Sequence, residues 1–380
     1  MKIVYVFTTL ASKGGTERIV VEKANYMAEH FGYDVSIICC NQQPDRPNFY
    51  QLSDKVRQYY LSIPYYTQYL YKYPKRLWVK ISLNIRLRKK LAKTVSEINP
   101  DIVIGLGHFM ANVVSTLPCK AKKVIECHEA RYCMSSYMGN RSFLTKIYHH
   151  YYAKRYFRTT ERNADLVVVL TTGAKYLWRK ARRVEIIPNF STLAVKQYSN
   201  CQTKRVIAAG RLGKEKGFER LIDIWKIVSE KHPDWQLDIL GDGELYDSLT
   251  EKIKNDHVRN VTLCGASNDM SQEYANSSIC VVTSYFEGFS LVLIEAMKHG
   301  VPCIAFDCPY GPRNIIEDNQ CGYLIKDGDI KAFAEKLSKL IADEEQRKQF
   351  SAAAIERAKH YDTDVIMTQW KNLLEGLILS

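Results

Sequence analysis

Several features are missing from the sequence. No run of about 18 or more apolar residues is present, so no membrane-spanning helix is expected. The start, Met1-Lys2-Ile3-Val4-Tyr5-Val6-Phe7, stops at Thr8-Thr9 without a small-residue cleavage site, and it reads as a buried first strand rather than a signal peptide. The eleven cysteines form no CxxC pair and no Cys/His spacing of a zinc site, which leaves free thiols in a reducing compartment. Neither the GxGxxG dinucleotide fingerprint nor the phosphate-loop pattern ending in Gly-Lys-Ser/Thr occurs. No RNP, KH, helix-turn-helix or zinc pattern is evident, so nucleic acid is not an expected partner. Between residues 55 and 93 there is no aspartate or glutamate.

What is present starts with length. The chain has 380 residues, too many for one ordinary α/β core and suited to two domains. Charge is divided unevenly: residues 1–188 hold 31 Lys+Arg against 13 Asp+Glu, and the remainder holds 23 against 28. A basic first half favours anionic partners such as acidic lipid or phosphorylated substrate. Residues 55–93 concentrate this with 11 Lys+Arg, seven tyrosines (Tyr59, Tyr60, Tyr65, Tyr66, Tyr69, Tyr71, Tyr73) and Trp78. Inside it, Arg76–Lys93 places Leu77, Ile81, Ile85 and Leu91 near helical spacing, with Arg86, Arg88, Lys89 and Lys90 interleaved. Aromatics beside cations suit an anionic membrane surface. An ordinary helix with a solvated basic face is the plainer alternative.

Short apolar runs alternate with helical patterns along the chain. In the first half the runs are Ile3–Phe7, Val35–Cys40, Ile102–Ile104, Lys123–Cys127, Leu166–Leu170 and Val184–Ile187, with helices expected at Glu17–Glu29 and Phe143–Arg162. In the second they are Val206–Ala209, Leu237–Leu240, Val261–Leu263, Ile279–Thr283 and Pro302–Phe306, with helices at Phe218–Glu230, Leu245–Lys254, Leu291–His299 and Ile330–Ala342. Continuous apolar strands separated by helices predict parallel sheets covered on both faces, an α/β chain of two doubly wound, Rossmann-like lobes. The expected organisation is a first lobe over 1–188, a second over 189–360, and a closing helix over 361–380 that packs back on the first. In such folds ligands meet the carboxyl ends of the strands, so a cleft between facing lobes is the expected site.

The loops after strands carry the candidate chemistry. Ser12-Lys13-Gly14-Gly15-Thr16-Glu17-Arg18 opens a helix, where amides attract anions, with a plain tight turn as the alternative. In Gly210-Arg211-Leu212-Gly213-Lys214-Glu215-Lys216-Gly217, Arg211 and Lys216 can hold a diphosphate, one by a planar fork and the other as a point charge, or they form a solvated basic loop. Glu287-Gly288-Phe289-Ser290-Leu291 leads into a helix that carries Glu295. Ser290 is placed to cap it, and the amides of Phe289–Leu291 point at an anion. Two carboxylates among apolar neighbours need partners, which sugar hydroxyls or structural cations can supply. Asp327-Gly328-Asp329 resembles a metal-binding DxD but has strong turn chemistry.

Glu287-x7-Glu295, within Glu-Gly-Phe-Ser-Leu-Val-Leu-Ile-Glu-Ala, resembles the E-x7-E signature of the retaining glycosyltransferases of family four, which have the GT-B fold. Gly-Arg-Leu…Lys-Gly at 210–217, Gly14-Gly15-Thr16-Glu17-Arg18, Pro188-Asn189 and Leu240-Gly241-Asp242-Gly243 resemble that family's further motifs, and the final helix resembles its crossover. The resemblance implies that Arg211 and Lys216 bind the donor diphosphate and stabilise it as it leaves, helped by amides at Gly14, Gly15, Gly288, Phe289, Ser290 and Leu291. It assigns ribose to Glu295, the transferred sugar to Glu287 and His128, and the base to backbone groups of Gly265 and Ala266. No metal and no cofactor beyond the nucleotide-sugar donor is implied.

The expected activity is retaining transfer of a hexose or N-acetylhexosamine to a saccharide or lipid-linked acceptor, in cell-surface polysaccharide or lipopolysaccharide synthesis. The expected location is cytoplasmic, peripheral on the inner face of the membrane, with residues 55–93 on the lipid. Cys308-Pro309-Tyr310-Gly311-Pro312-Arg313-Asn314-Ile315-Ile316 resembles forms found with UDP sugars, although Asn314 stands where an acid is common. UDP is favoured over GDP. A sugar phosphorylase or nucleotide-sugar epimerase on the same fold is the alternative reaction, which accounts less naturally for the basic aromatic stretch. A basic nucleic-acid-binding protein is the alternative of another class.

Overall fold

The structure is a computed structural model that describes residues 1–72, 74–128, 154–155 and 157–379. Tyr73, Glu129 and much of the helix expected at 143–162 lie outside the described residues; 157–163 are helical. By its internal contacts the chain divides into two units, Met1–Ile187 with Met367–Ser380, and Pro188–Ile366.

The first unit is built on seven strands: β1 (Lys2–Phe7), β2 (Asp34–Cys39), β3 (Arg57–Tyr60), β4 (Ile102–Leu106), β5 (Lys122–Cys127), β6 (Leu166–Val169) and β7 (Val184–Ile186). They lie in the order β3-β2-β1-β4-β5-β6-β7, and every pairing is parallel. Parallel strands need crossovers that cover both faces, which is why β1, β2, β4 and β6 are apolar nearly throughout. The helix Gly15–His30 turns Ile19, Val20, Lys23, Ala24 and Met27 inward. On the other face, Val4, Val6, Val103, Ile125 and Val167 pack with Leu83, Leu87, Leu91 and Val114.

The helix expected around 76–93 runs from Lys75 to Ile98, and its apolar residues divide between two faces. Leu83, Leu87, Leu91, Val95 and Ile98 enter the core. Leu91 therefore does not share a surface stripe with Leu77, Ile81 and Ile85, which are exposed together with Trp78. The reason is phase: Leu91 falls in register with Leu83 and Leu87, four residues apart, while Trp78, Ile81 and Ile85 repeat on the opposite side.

The second unit holds β8 (Arg205–Ala209), β9 (Gln236–Leu240), β10 (Val261–Gly265), β11 (Ile279–Val282), β12 (Cys303–Phe306) and β13 (Gly322–Ile325). Their order is β10-β9-β8-β11-β12-β13, again parallel throughout. Trp225 is wholly buried at the centre of its core, and its indole N–H donates to the carbonyls of Arg259 and Asn260 at 3.0 and 2.9 Å. That satisfies the one polar group of a large core side chain.

In each sheet the strand order reverses, between β1 and β4 and between β8 and β11. Crossovers leave on opposite faces at such a point and open a crevice at the carboxyl ends of those strands. Among the described residues no helix is long and apolar enough to cross a membrane.

Candidate active site

The second unit's switch point is built from two loops that lock together. After β8 the chain turns through Lys214–Lys216 and reaches Gly217 with φ 64°. A side chain there is excluded twice over, by the left-handed backbone and by the Thr283 carbonyl, 2.2 Å from where a Cβ would stand. Thr283 Oγ1 donates to the Gly217 carbonyl at 3.0 Å, so the end of β11 is fastened to the loop after β8. Behind them lies Arg220, 5% exposed, in the first turn of the helix Phe218–Lys231. Its Nε donates to Thr283 O at 2.5 Å, its Nη2 to Ser284 O, and its Nη1 to Asp327 Oδ1 at 2.8 Å, while its guanidinium stacks on Tyr285 and Phe306. Five donors in a rigid fork suit one residue to hold a whole corner.

On this corner Lys216 Nζ lies 2.9 Å from Glu287 Oε1, and Ser284 Oγ donates to the same oxygen at 2.6 Å. The Glu287 side chain is 8% exposed and that of Lys216 25%. Burial works against the ammonium, but the Glu287 charge and hydrogen bond outweigh it and hold Lys216 above its ordinary value. Lys216, Thr283, Ser284, Glu287 and Ser290 line one hollow at the strand ends. Gly311 is packed so close that a Cβ would meet that of Glu287 at 2.5 Å, which fixes the Pro309–Asn314 loop against the carboxylate.

The remaining expected residues of this unit are placed as follows. Arg211 is on the same loop as Lys216 but is exposed, with its guanidinium on Glu215, and it does not line the hollow. Gly288 and Phe289 lead into the helix Leu291–Lys298, with Phe289 edge-on to Tyr361 at 5.8 Å. Ser290 stands at the N-cap position, yet its side chain makes no cap hydrogen bond, contrary to expectation; it is buried and lines the hollow instead.

Glu295 is 6% exposed, accepting from Ser191 Oγ and from the Tyr274 hydroxyl, both at 3.3 Å. Burial and then the Glu295 charge push the Tyr274 phenol well above its ordinary value, so it stays a donor. Gly265 ends β10 with φ 71° and its carbonyl accepts the Gly241 amide at 2.7 Å; Ala266 follows on the surface. In the Asp-Gly-Asp turn, Asp327 binds Arg220 and Asp329 caps the helix Ile330–Ala342 by accepting from the Ala332 amide.

In the first unit Gly14 is the extended N-cap residue of the helix that begins at Gly15, directly after the β1 loop. Glu17 in its first turn accepts from Ser12 Oγ at 2.9 Å. His128 follows β5, 8% exposed, its Nε2 2.7 Å from Glu126 Oε1. Glu126 is fully buried and also paired with Lys23, whose ammonium sits 4.3 Å from the Trp370 ring centroid.

Arg220, Lys23 and Glu126 were not singled out in the sequence. Each is a charge set in an apolar stripe or strand, and that was the available signal.

Two family models cover most of the chain. "Glycosyltransferase Family 4" matches residues 13–193 and "Glycosyl transferases group 1" matches 192–357. An uncharacterised glycosyltransferase of Haemophilus influenzae is 29% identical over 98% of this chain and 99% of its own. The amylovoran biosynthesis glycosyltransferase AmsD of Erwinia amylovora is 36% identical over 56% of this chain and 62% of its own. Among solved structures, a Staphylococcus aureus TarM variant in complex with Fondaparinux, alpha-GlcNAc-glycerol and UDP has a TM-score of 0.76 at 17% identity, covering 98% of this chain and 99% of TarM. With two parallel sheets of reversing order and family matches running from residue 13 to 357, the chain belongs to the family-four type of glycosyltransferases, with the GT-B fold.

Proposed function

We propose that the protein is a retaining, metal-independent enzyme that moves a hexose or N-acetylhexosamine from a UDP-linked donor to a saccharide or lipid-linked acceptor in cell-surface polysaccharide or lipopolysaccharide synthesis. The observation that carries this reading is the Lys216–Glu287–Ser284 cluster at the ends of β8 and β11. A departing nucleoside diphosphate gains negative charge as the glycosidic bond breaks. An ammonium already fixed in place stabilises that charge without reorganising. Glu287 uses one of its three donors, and the group remains partly open to a ligand.

Arg211, exposed on the same loop and held by Glu215, would have to turn from that carboxylate to add its fork to the diphosphate. The amides of Phe289–Leu291 and of Gly15 add helix-end potential. Together these supply the positive charge a divalent metal would bring. Glu295 takes the ribose hydroxyls, Glu287 and His128 the transferred sugar, and the backbone of Gly265 and Ala266 the base. Each carboxylate already has structural partners, which argues against a glycosidase pair flanking one bond; retention follows the resemblance to the family. UDP is the nucleotide in the TarM complex, and amylovoran biosynthesis is named for the Erwinia relative.

The reading includes peripheral docking on the inner face of the membrane through residues 55–93. Tyr66, Tyr69, Leu70, Trp78, Ile81 and Ile85 are exposed near exposed Lys75, Lys80, Arg86 and Lys89, a mixture of rings and cations suited to anionic headgroups.

The test is thermal melting with UDP, GDP or phosphate in the presence of EDTA. At about 100 times Kd a ligand adds ~2.7 kcal/mol, a shift of several degrees, and UDP is expected to give the largest. Stabilisation only on adding a metal, or only by oligonucleotides, contradicts the reading.

A further inference from the structure

A second charged cluster lies in the first unit, beneath the helix Gly15–His30. Lys23 sits in that helix's apolar stripe, between Val20 and Met27, and is 1% exposed. Glu126 is the penultimate residue of β5 and is wholly buried. The two form an ion pair, with the Trp370 indole against the ammonium. Tyr5 of β1 is a further titratable group beside them; its phenol donates to Met27 Sδ at 3.6 Å, and burial, then the Glu126 charge, keeps it protonated.

Such a cluster is a poor way to stabilise a core. Taking two charges out of water costs about as much as their attraction returns, and apolar residues of the same volume often serve better. The hydrogen bonding is also lopsided. Glu126 Oε1 meets both Lys23 Nζ and His128 Nε2, while Oε2 is buried with no hydrogen-bond partner among the described residues. Buried polar atoms mostly find a partner, so a bare carboxylate oxygen asks for a reason other than stability.

The shared oxygen has a clear consequence for the histidine. An ionised carboxylate only accepts, so the proton of a neutral His128 ring is on Nε2 and the lone pair on Nδ1. Burial works against the Glu126 charge, but Lys23 and then His128 hold the carboxyl down to about 2, so the acceptor is present at any working pH.

We propose that Glu126 is a positioning residue for His128, with Lys23 and Trp370 holding its carboxylate in place, so that the imidazole stands at the end of β5 in one orientation and one tautomer. The proposal rests on the reading of His128 as a group at the transferred sugar. A carboxylate or carbonyl behind an active histidine fixes its ring in this way in other chemistries, and loosening such a partner misplaces the ring without removing it.

The test uses the full chain carrying Lys23→Met and Glu126→Gln together. This removes both charges, keeps the volumes close and strands no lone ion in the core. UDP release from UDP-glucose and from UDP-N-acetylglucosamine is measured beside His128→Ala and the triple variant. Nitrogen-15 shifts of histidine-labelled protein report the ring of His128 without any substrate. The expected result is a fall in kcat of about 100-fold, with little change in KM, loss of the single Nε2–H form, and a triple variant no worse than His128→Ala.

A fully active His128→Ala overturns the reading beneath the proposal. An impaired His128→Ala beside a fully active double variant overturns the proposal alone. So do unchanged ring shifts in the double variant, or losses that multiply in the triple variant.

Discussion

Each unit of the molecule holds a lysine–glutamate pair, and the two pairs live in opposite surroundings. Lys23 and Glu126 are 1% and 0% exposed at the side chain. Lys216 and Glu287 are 25% and 8% exposed and line a hollow at the strand ends. Burial pulls Lys23 below its ordinary value despite Glu126, whereas Glu287 outweighs burial and holds Lys216 above it. The chemistry of the pair is the same, and access to solvent decides its use. A sealed pair can only hold its neighbours, while an open pair keeps donors for a ligand.

The largest expected effect comes from breaking the sealed pair. Lys23→Ala leaves a carboxylate alone in the core and is predicted to cost about 3–5 kcal/mol in denaturant unfolding. Lys216→Ala, at the wetter pair, is predicted to cost about 1 kcal/mol or less. Equal costs would erase the distinction. Next comes activity, where the order inverts: Lys216→Ala and Glu287→Ala are each predicted to lower kcat/KM about 100- to 1,000-fold, with the thermal transition kept.

Acid sharpens the contrast further. A carboxyl held down to about 2 stabilises the fold at pH above the usual glutamate value of about 4.3 and loses that contribution as pH falls through the window between them. Stability measured against pH is predicted to drop by something on the order of 2 kcal/mol across that window. The drop is expected to be absent in the Lys23→Met/Glu126→Gln variant. Lys216 is held up, so its charge is lost only as pH rises past the ordinary lysine range, and through neutral pH any change in UDP binding is predicted to follow the terminal phosphate of UDP and not Lys216.

The smallest effect is expected on the outer face of the helix Lys75–Ile98. Trp78→Ser with Ile85→Ser should leave stability within about 0.5 kcal/mol while reducing co-sedimentation with anionic vesicles. Unchanged co-sedimentation would remove membrane docking from the reading.

The sequence made most of the fold legible, because parallel strands buried on both faces must be apolar runs, and Ile3–Phe7 or Ile279–Thr283 can hardly be anything else. β3 escaped notice for the converse reason. Its Arg57-Gln58-Tyr59-Tyr60 is an edge strand with one exposed and three half-buried residues, and its tyrosines read as part of an interface. The hollow was legible where loops follow strands, as at Lys216 and Glu287, because the switch point collects those loops. Lys23 and Glu126 are 103 positions apart and Arg220 and Asp327 107, so nothing local in the chain announces either contact. A charge in an apolar stripe signals a partner without saying where it lies.

The central claim is that the open pair holds a leaving nucleoside diphosphate. Calorimetric titration of UDP in EDTA, with wild type and Lys216→Ala side by side, tests it most directly. The expected result is metal-free binding by the wild type and affinity weaker by about tenfold or more in the variant. Equal affinity for UDP in the two proteins would contradict it.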